Sequence, residues 1–156
     1  MRKKDKEITD RKVIDRIIDR APICRLALCD GDQPYIVTMN FGYDGSRLYF
    51  HCATEGRKID IIKKNNKVCF QMDWNYELVE AEKPCKYTAK FLSVVGFGKA
   101  SLLTERDEKI PALDIIMKHY DGPKGGYVDE ALEKVTVIRV DIDSISGKYS
   151  GYNLDH

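Results

Sequence analysis

Apolar and polar residues alternate in several short runs, and a turn signal follows most of them. This confines the chain to a mainly β fold, because a half-buried strand hides every second side chain. In Ile23–Cys29, Cys24, Leu26 and Leu28 share one side. Asp30-Gly31 is a hairpin signal and leads into a second strand, Tyr35–Phe41. The turn Tyr43-Asp44-Gly45-Ser46 precedes a third, Arg47–Ala53. Strands in such close succession predict an antiparallel meander. Lys67–Trp74 reads as a fourth strand, and the polar residues 75–84, with Pro84, as a loop. Cys85–Leu103 is too long and too β-branched for one ordinary strand. Its Gly96 and Gly98 predict either two segments or one bent strand at a barrel corner. Thr136–Ile142 alternates as the last strand, and the tail 144–156 carries no core pattern.

Three stretches have helical spacing. Residues 10–20 have Asp10 as N-cap and Val13, Ile14, Ile17 and Ile18 on one face, with Pro22 as a stop. Thr54-Glu55-Gly56-Arg57-Lys58 opens a helix running to about Lys64. Glu105–Tyr120 places Leu113, Ile116, Met117 and Tyr120 on one side. A loop at Asp121–Gly126 and one short helical turn at Asp129–Lys134 complete the reading. The sum is a single domain over residues 1–156, a small antiparallel β-barrel of about six strands with peripheral helices.

Lys and Arg number 26 against 25 Asp and Glu, a net charge of +1. A dedicated nucleic-acid binder needs a basic excess, so none is expected. No apolar run approaches the ~18–20 residues that span a bilayer. The start, MRKKDKEITDRK, lacks the apolar segment of a secretory signal. Five cysteines (Cys24, Cys29, Cys52, Cys69, Cys85) form no C-x-x-C. Unpaired thiols in a reducing, cytoplasmic compartment are expected. His51, His119 and His156 do not fall at zinc-binding spacings, so no metal is expected.

The sharpest chemical signal is Tyr49-Phe50-His51-Cys52-Ala53-Thr54-Glu55-Gly56-Arg57-Lys58, where a strand runs directly into a helix. Free N–H groups at a helix start attract anions. Thr54 adds a hydroxyl, and Gly56 permits close approach. Arg57 and Lys58 put cations where the helix dipole disfavours them, which suits a phosphate that neutralises both. An ordinary capped helix with two solvated charges explains the same residues. His51, on the strand entering this junction, could donate a hydrogen bond or a proton. Asn40, after Thr38 and Met39, could recognise the edge of a planar heterocycle. Ser93 enters an apolar strand, and Ser146-Gly147-Lys148 is either a turn or a basic arm over a ligand.

Taken in order, Phe41-Gly42-Tyr43-Asp44-Gly45, Leu48-Tyr49-Phe50-His51, Glu55-Gly56-Arg57-Lys58, Ser93-Val94-Val95-Gly96-Phe97-Gly98 and Ser146-Gly147-Lys148 resemble the pyridoxamine 5′-phosphate oxidase-like flavoproteins. Within them the chain is most similar to the 5-nitroimidazole-resistance branch. The resemblance implies a split β-barrel that binds FMN, as a homodimer with cofactors at the subunit interface. It implies that Arg57, Lys58 and Thr54 bind the FMN phosphate, and that Thr38, Met39 and Asn40 run along the isoalloxazine ring. It implies a catalytic His51 near the flavin with Cys52 beside it, Ser93 at the phosphate or ribityl end, and Lys148 and Tyr149 reaching the cofactor. Two departures matter. Phe91-Leu92 precedes Ser93 where relatives often carry a tyrosine and an arginine, and the arginine–histidine substrate motif of true pyridoxamine phosphate oxidases has no counterpart. Vitamin B6 oxidation is therefore not expected.

The expected activity is electron transfer from a reduced donor, such as a pyridine nucleotide, through FMN to a small planar acceptor. A flavin carrier or sensor without turnover is the alternative, as is a haem protein with His51 as axial ligand. Trp74 and Tyr76 are candidates for an interface or a cleft rim, with ordinary barrel packing as the other explanation.

Overall fold

The computed structural model describes residues 4–152; His156 and the end of the expected tail lie outside them. A two-residue strand, β1 (Glu7–Ile8), precedes helix α1 (Arg11–Arg20). Asp10 caps α1 by accepting the Lys12 N–H at 2.8 Å, and Ile14, Ile17 and Ile18 are buried. Strands β2 (Cys24–Asp30) and β3 (Gln33–Met39) form the expected hairpin. Then come β4 (Gly42–Tyr43), β5 (Arg47–Ala53), α2 (Arg57–Lys64), β6 (Lys67–Val79) and β7 (Thr88–Leu103). Helices α3 (Arg106–His119) and α4 (Asp129–Glu133) lead to β8 (Val135–Ser150).

One antiparallel sheet runs β3-β2-β6-β7-β8-β5-β4, with β1 on β8. Its six long strands are the six expected, with β1 and β4 added. The fold is the split barrel that the resemblance implied.

The meander is not what forms. Strand β5 leaves β3 and pairs with β8, setting His51 opposite Val137 and Ala53 opposite Val135. Burial explains the choice. Leu48, Tyr49 and Phe50 are all buried, so both faces of β5 need cover, and α3 supplies it on the back. By contrast β3 is largely exposed and carries Pro34, which suits an edge.

The tail also departs from expectation, because β8 continues to Ser150. Ser144–Ser150 pairs with Phe91–Phe97, and Gly147 lies against Ile8. Serines and a glycine hide this segment from a hydropathy reading, and the backbone ladder holds it. Residues 75–79 are strand rather than loop. The β6–β7 ladder resumes past a bulge at Asn75 and reaches Val79 opposite Thr88. β7 is one continuous strand beginning at Thr88, and its ladder with β8 shifts at Phe97/Gly98, where Asp143 of β8 is the extra residue. α2 starts at Arg57, leaving Thr54 in the preceding loop. In α3 the buried residues are Lys109, Ala112 and Ile116, so of the expected face only Ile116 is fully covered.

Two cores result. The barrel interior packs Leu26, Phe50, Phe70, Met72, Val94 and Ile138 with the isoleucines of α1 and α2. A smaller core of Tyr49, Leu103, Ala112, Ile116 and Val137 joins α3 to the sheet. Asp44 fixes the turn into β5 by accepting from the Ser46 and Arg47 N–H groups and from the Tyr49 hydroxyl. Burial alone would raise its carboxyl, but these hydrogen bonds win and hold it below its ordinary value. Among the described residues no helix is long and apolar enough to cross a membrane.

Gly96 lets β7 pass over the Phe70 ring, since a Cβ there would lie 2.1 Å from Phe70 Cζ. Gly96→Ala is expected to cost about 1–3 kcal/mol by overpacking. Denaturant unfolding checks this, and an unchanged midpoint would contradict it.

Candidate cofactor site

The site lies where the sheet fails to close. β3 pairs only with β2, and β5 beyond Tyr49 pairs only with β8. The two free edges, Val37–Met39 and His51–Ala53, face one cleft of about 680 Å³. Asn40 continues the first edge. Lys58 adds an ammonium from α2, and Lys134 and Val135 add a further wall. The structure thus brings together Thr38, Met39, Asn40, His51, Cys52 and Lys58 from the sequence-derived set.

His51 is exposed in the cleft, and Cys52 beside it is buried. Burial pushes the Cys52 thiol up, with the Lys58 ammonium opposing in part. The thiol therefore stays protonated at neutral pH and is a wall rather than a nucleophile.

The start of α2 has no side-chain cap. The Gly56 carbonyl accepts the Ile59 and Asp60 N–H groups, and the first-turn N–H groups before them have no place in the helical ladder. Gly56 sits at φ 129°, where an L side chain would be strained, and a Cβ there would meet open space. Thr54 is exposed in this loop. Arg57 is adjacent but turned toward the β2–β3 hairpin. Its Nη2 lies 3.3 Å from Asp30 Oδ2, and its guanidinium stacks 4.6 Å from the Tyr35 ring centroid.

Ser93, Lys148 and Tyr149 do not join the cleft within one chain. Ser93 and Lys148 face each other on β7 and β8, at the far end of β8 from Val135. Lys148 Nζ lies 5.9 Å from the Phe91 ring centroid, and the Tyr149 hydroxyl donates to the Asp5 carbonyl at 2.7 Å. Val37, Ala53, Lys134 and Val135 are cleft residues outside the sequence-derived set, and the last two come from an element that sequence reasoning did not connect with the site. Their place depends on β5 pairing with β8, which the expected meander concealed.

The apolar floor of Val37, Met39 and Val135, the Asn40 amide and the two ammonium groups match an amphipathic, anionic ligand. Among the described residues no cluster of histidine, cysteine and carboxylate could hold a metal. A concavity of about 690 Å³ between α1 and α3 is lined by charges of both signs, such as Lys12, Asp15, Arg16 and Asp19. That mixture selects no ligand charge.

An uncharacterised protein of Rhizobium meliloti is 35% identical over 65 residues, 42% of this chain and 42% of that one. The crystal structure of a candidate 5-nitroimidazole antibiotic resistance protein from Bacteroides thetaiotaomicron is 37% identical, with a TM-score of 0.82. That match covers 92% of this chain and 86% of the other. The flavocytochrome Anf3 of Azotobacter vinelandii has a TM-score of 0.82 at 20% identity, over 100% of this chain and 75% of its own. An FAD and haem binding protein of Mycobacterium smegmatis gives 0.82 at 19% identity, over 97% and 76%. These last two share the fold. The family model for pyridoxamine 5′-phosphate oxidase matches residues 10–149, both edges of the cleft included, and the chain belongs to that family.

Proposed function

We propose that this chain is an FMN-dependent oxidoreductase that takes electrons from a reduced donor, such as a pyridine nucleotide, and passes them to a small planar acceptor of the nitro-aromatic kind. The observation that carries the reading is the open seam: an apolar floor, free strand edges and two lysine ammonium groups in one cleft beside an uncapped helix start. Family membership and the 37% identity to the Bacteroides protein support it.

Lys58, Arg57 and Thr54 would hold the phosphate, with the first N–H groups of α2. Arg57 would exchange Asp30 for the phosphate. The exchange costs little, because the pair is exposed and such pairs contribute about 0–1 kcal/mol. The free edge at Thr38 and Met39 offers backbone N–H and C=O groups to a planar ring, and Asn40 an amide. Flavin, when bound, supplies the two-electron chemistry. The His51 ring N–H would donate a hydrogen bond or a proton to the acceptor.

Homodimer formation belongs to the same proposal. Ile36, Ala27, Cys69 and Phe97 lie in one row across the outer face of the sheet, with Ile36 61% and Phe97 56% exposed. Val95, Ser93 and Lys148 share that face by strand alternation and register. A second copy seated there would cover the row and give Ser93 and Lys148 a route to a cofactor that they do not reach in their own chain. Haem, with His51 as axial ligand, is the competing occupant. A Soret band in purified protein would favour it.

His51→Ala is expected to retain FMN and to lose about 10²–10⁴-fold in turnover with reduced nicotinamide and a nitro-aromatic acceptor. Undiminished turnover would remove His51 from the mechanism. Phe97→Asp is expected to convert a dimeric wild-type protein into a monomer, read by light scattering. A monomeric wild-type protein would contradict the shared site.

A further inference from the structure

Helix α3 braces the chain that leads to the cleft wall. Arg106 pairs with Asp129 at the start of α4. The buried Lys109 donates from Nζ to the carbonyls of Leu132 at 2.5 Å and Val135 at 3.1 Å. Asp114 accepts the Gly125 N–H at 2.9 Å and the Tyr127 hydroxyl at 3.1 Å. These anchors fall within one side of the helix. An ammonium so buried is costly to desolvate, and this one engages two backbone carbonyls. Lys134 lies between Leu132 and Val135, whose carbonyls Lys109 holds, so the Lys134 backbone is fixed on both sides.

The β5–β8 register carries that fixed turn to the site. Ala53 pairs with Val135 as the last rung of the ladder, so Lys134 precedes that rung on the β8 side and Thr54 follows it on the β5 side, where the chain enters the loop before α2. Lys134 and Lys58 line the cleft from different elements, and among the described residues no carboxylate lines it. Among the described residues the Lys134 ammonium pairs with Glu130, at 2.6 Å, across a solvent-exposed i,i+4 pair of small worth. Like Arg57 on Asp30, it is a cation with a weak partner beside the anion-attracting loop.

We infer that Lys134 is a phosphate-binding residue of the cofactor site, closing it from the β8 side opposite Lys58. This rests on reading the cleft as a flavin site. A charge-assisted contact of this kind acts on the phosphate and not on the ring. The test titrates FMN and riboflavin, which differ by that phosphate, into wild-type, Lys134→Ala and Glu130→Gln proteins.

Lys134→Ala is expected to lose about tenfold in FMN affinity with riboflavin affinity unchanged. Glu130→Gln breaks the same ion pair but keeps the ammonium, and is expected to bind FMN at least as tightly as wild type. An unchanged ratio of FMN to riboflavin affinity in Lys134→Ala would overturn the inference. So would an equal loss for both ligands, or a Glu130→Gln protein as weak as Lys134→Ala. A wild-type protein that binds neither flavin would overturn the cofactor reading and this inference with it. If wild type prefers FMN and Lys134→Ala prefers it equally, only the role of Lys134 falls.

Discussion

The pairing of β5 with β8 decides where the site lies. Had β5 continued the β2–β3 hairpin, the free edge of β3 would have been filled and His51 would have stood inside an ordinary meander. Covered by the barrel core on one face and by α3 on the other, β5 instead takes an interior place beside β8. Two strand edges are then left facing each other across a gap. Unpaired edges are a liability unless something covers them. Here a planar ligand with hydrogen-bonding edges would do so.

Charge is distributed to suit. The chain is nearly neutral, at +1, yet both charged side chains lining the cleft are lysines. The nearby carboxylates, Asp30 and Glu130, sit outside it and engage Arg57 and Lys134 through exposed pairs. Such an arrangement keeps cations soluble and available without fixing them. The buried Lys109 is the opposite case, an ammonium held by backbone carbonyls and used to fix a turn.

Much of this was legible in the sequence. Alternation identified the long strands, and Asp10, Asp30-Gly31 and Gly96 did what such residues do wherever local chemistry decides. The junction from His51 to Lys58 stood out because cations at a helix start contradict the dipole. What stayed hidden was non-local. Strand partners cannot be read from alternation alone, so the meander was expected and the β5–β8 pair was not. In Ser144–Ser150 serines, Gly147 and Lys148 dilute Ile145 and Tyr149, and the segment is held by its ladder with β7. Lys134 reads as the polar end of a short helical turn until the register sets its neighbour Val135 against Ala53 at the cleft. Ser93 and Lys148 carry family motifs but do not line the cleft within one chain.

The most direct test of the central claim is the visible absorption spectrum of the purified protein before and after dialysis against FMN, with flavin counted per chain. The account predicts a flavin spectrum perturbed from that of free FMN and one flavin retained for each chain. A protein that emerges colourless, with no FMN retained after dialysis, would contradict it.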